Sequence, residues 1–75
     1  MSGKADILFA NDDKVIRDAI RAVLRGDGYS VRTARDGDEA LERFADRRPD
    51  LILLDVMMPR VGGIQVLEKV RETDP

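Results

Sequence analysis

A parallel α/β sheet is the fold class this sequence predicts, and three observations predict it. The hydrophobic period switches between strand-like and helix-like five times within 75 residues. The run Leu51-Ile52-Leu53-Leu54 is apolar at every position, as in a central parallel strand covered on both faces. Each strand-like run is followed by a segment long enough for a helical crossover, which parallel neighbours require.

Ile7 to Ala10 is a short apolar run between polar residues and suits a buried strand. From Val15 the period becomes helical. Val15, Ile16, Ala19, Ile20, Val23 and Leu24 make the apolar stripe, with Lys14, Arg17, Asp18, Arg21 and Arg25 opposite. Gly26-Asp27-Gly28 stops this helix, because glycine accepts the left-handed conformation common just past a helix end. Tyr29 to Ala34 alternates, with Tyr29, Val31 and Thr33 on one face and Ser30 and Arg32 on the other, as in a half-exposed edge strand. Asp36 and Glu39 resemble a capping box opening the second helix, whose stripe is Ala40, Leu41, Phe44 and Ala45. Arg47-Arg48 suit the negative end of that helix dipole, and Pro49 stops it. The third helix is predicted from about Gly63 to Thr73, with Ile64, Leu67 and Val70 inward.

The order β-α-β-α-β-α with right-handed crossovers points to a three-layer flavodoxin-like unit, (βα)n, of which three β-α units are present. In that architecture the strand order is 2-1-3, so strand 2 is an edge and strands 1 and 3 are neighbours. Residues 1–75 read as one domain, or the N-terminal part of one.

Composition narrows the function. Thirteen basic and 15 acidic residues leave a formal charge of -2, which is no footprint for nucleic acid or for a membrane surface. No apolar run approaches the roughly 20 residues of a membrane span, and no signal-peptide pattern opens the chain. The chain has no cysteine and no histidine. Thiolate and imidazole chemistry are therefore excluded, and a cytoplasmic location is expected. Carboxylates remain as the reactive groups.

Two acidic positions coincide in the predicted fold. Asn11-Asp12-Asp13 follow strand 1, and Asp55 follows strand 3 before Val56-Met57-Met58-Pro59 and Gly62-Gly63. Adjacent parallel strands bring those ends to one crevice, where open α/β sheets bind ligands. Two carboxylates and a loop carbonyl, for which Met57 is the natural candidate, suit Mg²⁺, with waters and a phosphate oxygen completing its octahedron. Asp55 is then the better covalent acceptor and Asp12 the better ligand. Plainer roles compete. Asn11 to Asp13 read as readily as the N-cap of the first helix, a lone Asp after a strand is commonly a turn residue, and the Met58 side chain reads as core filling.

The residues that carry these features resemble a response-regulator receiver domain. Ile7-Leu8-Phe9-Ala10-Asn11-Asp12-Asp13 with Ile16-Arg17 matches its start. Gly28-Tyr29, Thr33-Ala34-Arg35-Asp36-Gly37 and Glu39-Ala40-Leu41 match its middle. Pro49-Asp50-Leu51-Ile52-Leu53-Leu54-Asp55-Val56-Met57-Met58-Pro59, with Gly63, is the most specific stretch. The resemblance implies two-component signalling, in which a histidine kinase or phosphotransfer protein phosphorylates Asp55 with Mg²⁺ held by Asp12, Asp55 and the Met57 carbonyl. It implies a regulatory phosphoacceptor domain rather than an enzyme, at most phosphorylating itself from a small phosphodonor.

Two departures qualify it. Asn11 stands where the family usually has a carboxylate, so it is expected to act as a weaker ligand, in part through water, and Mg²⁺ affinity should fall. The chain also covers about three of the family's five β-α units, without counterparts of the hydroxyl residue after strand 4 and the lysine after strand 5. Strand 3 then becomes an apolar edge, which predicts a homodimer through that edge or by exchange of elements. The competing function is a receiver-like interaction module that takes no phosphate. A phosphatase of the aspartyl-nucleophile type fits poorly, because Met57 stands two beyond Asp55 and no second carboxylate follows there.

Overall fold

The computed structural model describes residues 5–55 and 62–73. Three strands, β1 (Asp6–Ala10), β2 (Ser30–Ala34) and β3 (Leu51–Leu54), alternate with helices α1 (Lys14–Gly26), α2 (Gly37–Asp46) and α3 (Gly63–Thr73). All pairing is parallel in the order β2-β1-β3. Ile7 is opposite both Val31 and Leu51, and Ala10 is opposite both Ala34 and Leu54. The expected fold class and strand order are therefore observed.

The chain steps from β1 to one side and then back across it to β3. With right-handed crossovers, those opposite steps put α1 and α2 on opposite faces of the sheet. Leu8, Ala10 and Ala34 form the buried cluster with Ala40 of α2 and Val66 of α3; Leu41, Phe44, Ile52, Leu54 and Val70 pack around it. Ile7, Phe9 and Val31 are buried too and alternate with that set, so they face the α1 side.

Each helix end has a chemical cause. Asp13 is the N-cap of α1 and accepts from the amides of Val15 and Ile16 at 2.9 and 3.4 Å. At the other end Gly28 takes φ 96°. The Tyr29 amide donates to Leu24 O at 3.1 Å and that of Gly28 to Arg25 O at 2.9 Å, which makes a Schellman turn. Asp36 caps α2 through the Glu39 amide at 2.8 Å, and Glu39 reaches back to the Arg35 amide at 2.9 Å, one residue before the cap. In α3 the Gln65 side chain accepts from the Gly62 amide at 2.9 Å, one arm of such a box, since Gly62 has no side chain to return it.

Three expectations about burial change. No residue of α1 is buried, and Val15 and Val23 are 76% and 63% exposed. Its half-buried apolar residues are Ile20 and Leu24. The helix lies over β2 and β1, a support too narrow for the whole stripe. In α3 the inward residues are Val66, 1% exposed, and Val70, whereas Ile64 and Leu67 face outward. Leu51 is 48% exposed, so β3 is not covered on both faces as a central strand would be. It is an edge of the described sheet.

Arg32 was expected on the exposed face of an edge strand. Instead it folds under α2, with Nη1 donating to Arg43 O at 2.8 Å and Nη2 to Arg47 O at 2.7 Å. Nη2 also reaches Asp6 Oδ2 at 3.2 Å, which Arg47 Nε approaches equally closely. The cation that closes the α2 dipole is thus donated from β2, while the Arg47 guanidinium turns to β1. Asp50 adds a tie, since its Oδ2 accepts from the Asp6 amide and its own amide donates to Asp6 O, both at 2.8 Å.

Candidate functional site

The carboxyl ends of β1 and β3 converge as expected. The Asp55 amide donates to Ala10 O at 3.0 Å and carries the β1–β3 ladder one residue past β3. The Asn11 amide donates to Ala34 O at 3.0 Å and does the same for β1–β2. Asp55 and Asn11 therefore leave the sheet side by side, with Asp12 next in the chain. Asp55 and Asn11 are half-buried and Asp12 is exposed. Met57, expected to offer its carbonyl, and Met58 lie outside the described residues.

Asp13 is not a third carboxylate of this crevice. Its Oδ1 is committed to the first amides of α1, so the capping role weighed for this segment belongs to Asp13. Asn11 completes the turn, its Oδ1 accepting from the Asp13 amide at 2.8 Å. Among the described residues no group of three or more Asp, Glu, His or Cys gathers to hold a metal ion. Two hard anionic oxygens at strand tips, Asp12 and Asp55, remain as a donor set. That set fits a cation which keeps most of its water, as Mg²⁺ does.

Sequence reasoning missed Arg17. It was placed on the outer face of α1, yet it is half-buried and its Nη1 donates to the Asn11 carbonyl at 2.8 Å. The available signal was its spacing, four residues after the N-cap, since helical side chains lean back toward the N-terminus. It sets a fixed positive charge against the backbone of the acidic loop. A separate groove of about 570 Å³ runs between α2 and α3, lined by Leu41, Phe44, Arg48, Lys69 and Val70 among others. Its lining includes none of the strand-tip residues.

With this geometry in hand, known proteins give a consistent match. The family model described as the response regulator receiver domain matches residues 7–75. Response regulator MprA of Mycobacterium sp. (strain KMS) is 48% identical over 67 residues, which is 89% of this chain and 29% of that protein. Chemotaxis protein CheY4 of Vibrio cholerae superposes with a TM-score of 0.90 at 37% identity, covering 95% of this chain and 59% of that one. Response regulator TrrA of Thermotoga maritima, solved in complex with Mg²⁺ and BeF, gives a TM-score of 0.89 at 34% identity, covering 95% and 62%. The chain thus spans under a third of the curated relative's length and about three fifths of these two structures.

Proposed function

This chain belongs to the response regulator receiver domain family, the regulatory module of two-component signalling, and from that premise we propose that Asp55 is its phosphoacceptor. One observation carries the proposal. The Asp55 amide extends the ladder onto Ala10 O at 3.0 Å, so the backbone of Asp55 leaves the tip of β3 beside the end of β1, where Asn11-Asp12 follow. A carboxylate oxygen of Asp55 attacks the donor's phosphorus in line; an O–P bond forms as the bond to the donor's leaving atom breaks, and the product is an acyl phosphate. The donor is a phosphohistidine of a kinase or phosphotransfer protein, or a small acyl phosphate.

Asp12 and Asp55 would hold Mg²⁺, joined by the Met57 carbonyl. A cation bound there neutralises charge on the incoming phosphoryl group. The TrrA structure, with Mg²⁺ and BeF bound to a chain of matching fold, supports that assignment. Incubation with acetyl phosphate and millimolar Mg²⁺ should add one phosphoryl group by intact-mass measurement, and Asp55→Asn should abolish it. No incorporation in the wild type would favour the interaction module that takes no phosphate.

For the 75-residue chain we also propose a homodimer joined through the outer edge of β3, where Leu51 is 48% exposed. Two-fold symmetry makes the paired β3 strands antiparallel, and the four apolar side chains bring no like-charge conflict. Light scattering should give twice the monomer mass at micromolar concentration, and Ile52→Lys should halve it. A compact monomer in the wild type sinks this part alone.

A further inference from the structure

Each oxygen of Asn11 already accepts a hydrogen bond from the protein, which leaves one lone pair apiece. Its carbonyl accepts from Arg17 Nη1 at 2.8 Å, and its Oδ1 accepts from the Asp13 amide at 2.8 Å. Because that second donor is a backbone N–H, the amide atom facing it must be the oxygen, not the nitrogen. The main-chain amide of Asn11 is bound to Ala34 O. A cation would have to share one of the Asn11 oxygens with its N–H donor, and the side-chain Nδ2 offers two donors and no acceptor, whereas hard divalent cations take oxygen ligands.

Resting on the reading of this crevice as a phosphoacceptor centre, we propose that Asn11 is a positioning residue and contributes no oxygen to the cation. Its three hydrogen bonds tie the start of the loop carrying Asp12 to the end of β2, to the N-cap residue Asp13 and to Arg17 of α1. The centre then depends on Asp12 and Asp55 as its charged ligands, with the Arg17 guanidinium opposing them from one residue away. Both features weaken the hold on a divalent cation while leaving the acceptor intact. Phosphorylation of this domain therefore follows the free cation concentration instead of running with a saturated site.

The test is Mn²⁺ affinity of the chain by electron paramagnetic resonance, with hydrogen exchange at the Asp13 amide as a second readout. Asn11→Ser keeps an acceptor for the turn and should bind Mn²⁺ within about twofold of the wild type. Asn11→Asp adds a charge beside the cation and should tighten binding about tenfold. The Asp13 amide should keep its protection when Mg²⁺ is saturating. A loss of about tenfold or more in Asn11→Ser, or deprotection of that amide on adding cation, overturns this proposal and leaves the crevice reading standing. If neither the wild type nor Asn11→Asp binds Mn²⁺, both fall together.

Discussion

Replacing Arg32 by Met removes the guanidinium and keeps most of the stem that packs beneath α2. Three contacts disappear: those to Arg43 O at 2.8 Å, Arg47 O at 2.7 Å and Asp6 Oδ2 at 3.2 Å. A hydrogen bond from a charged donor contributes about 1.5–3 kcal/mol, so three contribute about 4–9 kcal/mol before offsets. Two offsets apply. Arg43 O still accepts from the Arg47 amide at 3.2 Å. Among the described residues Asp6 Oδ1 and Arg32 Nε are buried without hydrogen-bond partners, so the intact cluster already carries a desolvation cost. With side-chain exposures of 20% and 17% for Arg32 and Asp6, screening is partial. The net loss is expected to be about 3 kcal/mol, which for a domain of this size lowers Tm by about 12–24 °C. Urea unfolding followed by circular dichroism measures it. A loss below about 0.5 kcal/mol would refute the reasoning, and Asp6→Asn combined with Arg32→Met would then show no coupling either.

Other expectations are simpler. Val66→Ala should cost about 2 kcal/mol and Ile64→Ala almost nothing, because Val66 is 1% exposed and Ile64 60%; the reverse ranking in chemical denaturation would mean that α3 is rotated. Asp36→Ala removes the cap on the Glu39 amide and should destabilise by about 1 kcal/mol by the same assay, with Asp36→Ser recovering most of it. The hydrogen bond from Lys14 lowers the Asp18 carboxyl pKa below its usual value, with Arg21 and Arg17 adding smaller attractions. Its contribution is therefore complete above the usual carboxylate pKa and fades as pH falls through the lowered one. In an NMR titration Lys14→Met should move the Asp18 midpoint back up; an unmoved midpoint would rule the pair out.

Strand order, helix positions and the neighbouring carboxyl ends of β1 and β3 were legible because they depend on local period and on crossover handedness. Helix phase was less so. In α3 the stripes Ile64-Leu67 and Val66-Val70 both have helical spacing, and only contact with Leu8 and Ala40 selects the second. The α1 stripe was correctly placed but too wide for the strands beneath it, which a one-dimensional pattern does not reveal. Arg32 and Arg17 were hidden for another reason. A charged residue on an alternating pattern reads as solvent-facing, yet a long guanidinium can bury its stem and satisfy carbonyls that sequence does not locate. In the site, Asn11 was legible as a missing charge, and its bond to Asp13 was not.

The Asp6 cluster sits at the opposite end of β1 from Asn11. Asn11 lies five residue steps along from Asp6, about 16 Å at a strand's rise per residue. Sites that far apart with no shared partners combine additively. The charge of the crevice can therefore drift, carboxylate to amide at position 11, without drawing on the bonds that keep the sheet and α2 together. β1 works as an insulator, and a sequence can retune its ion dependence at one pole while its melting point is set at the other.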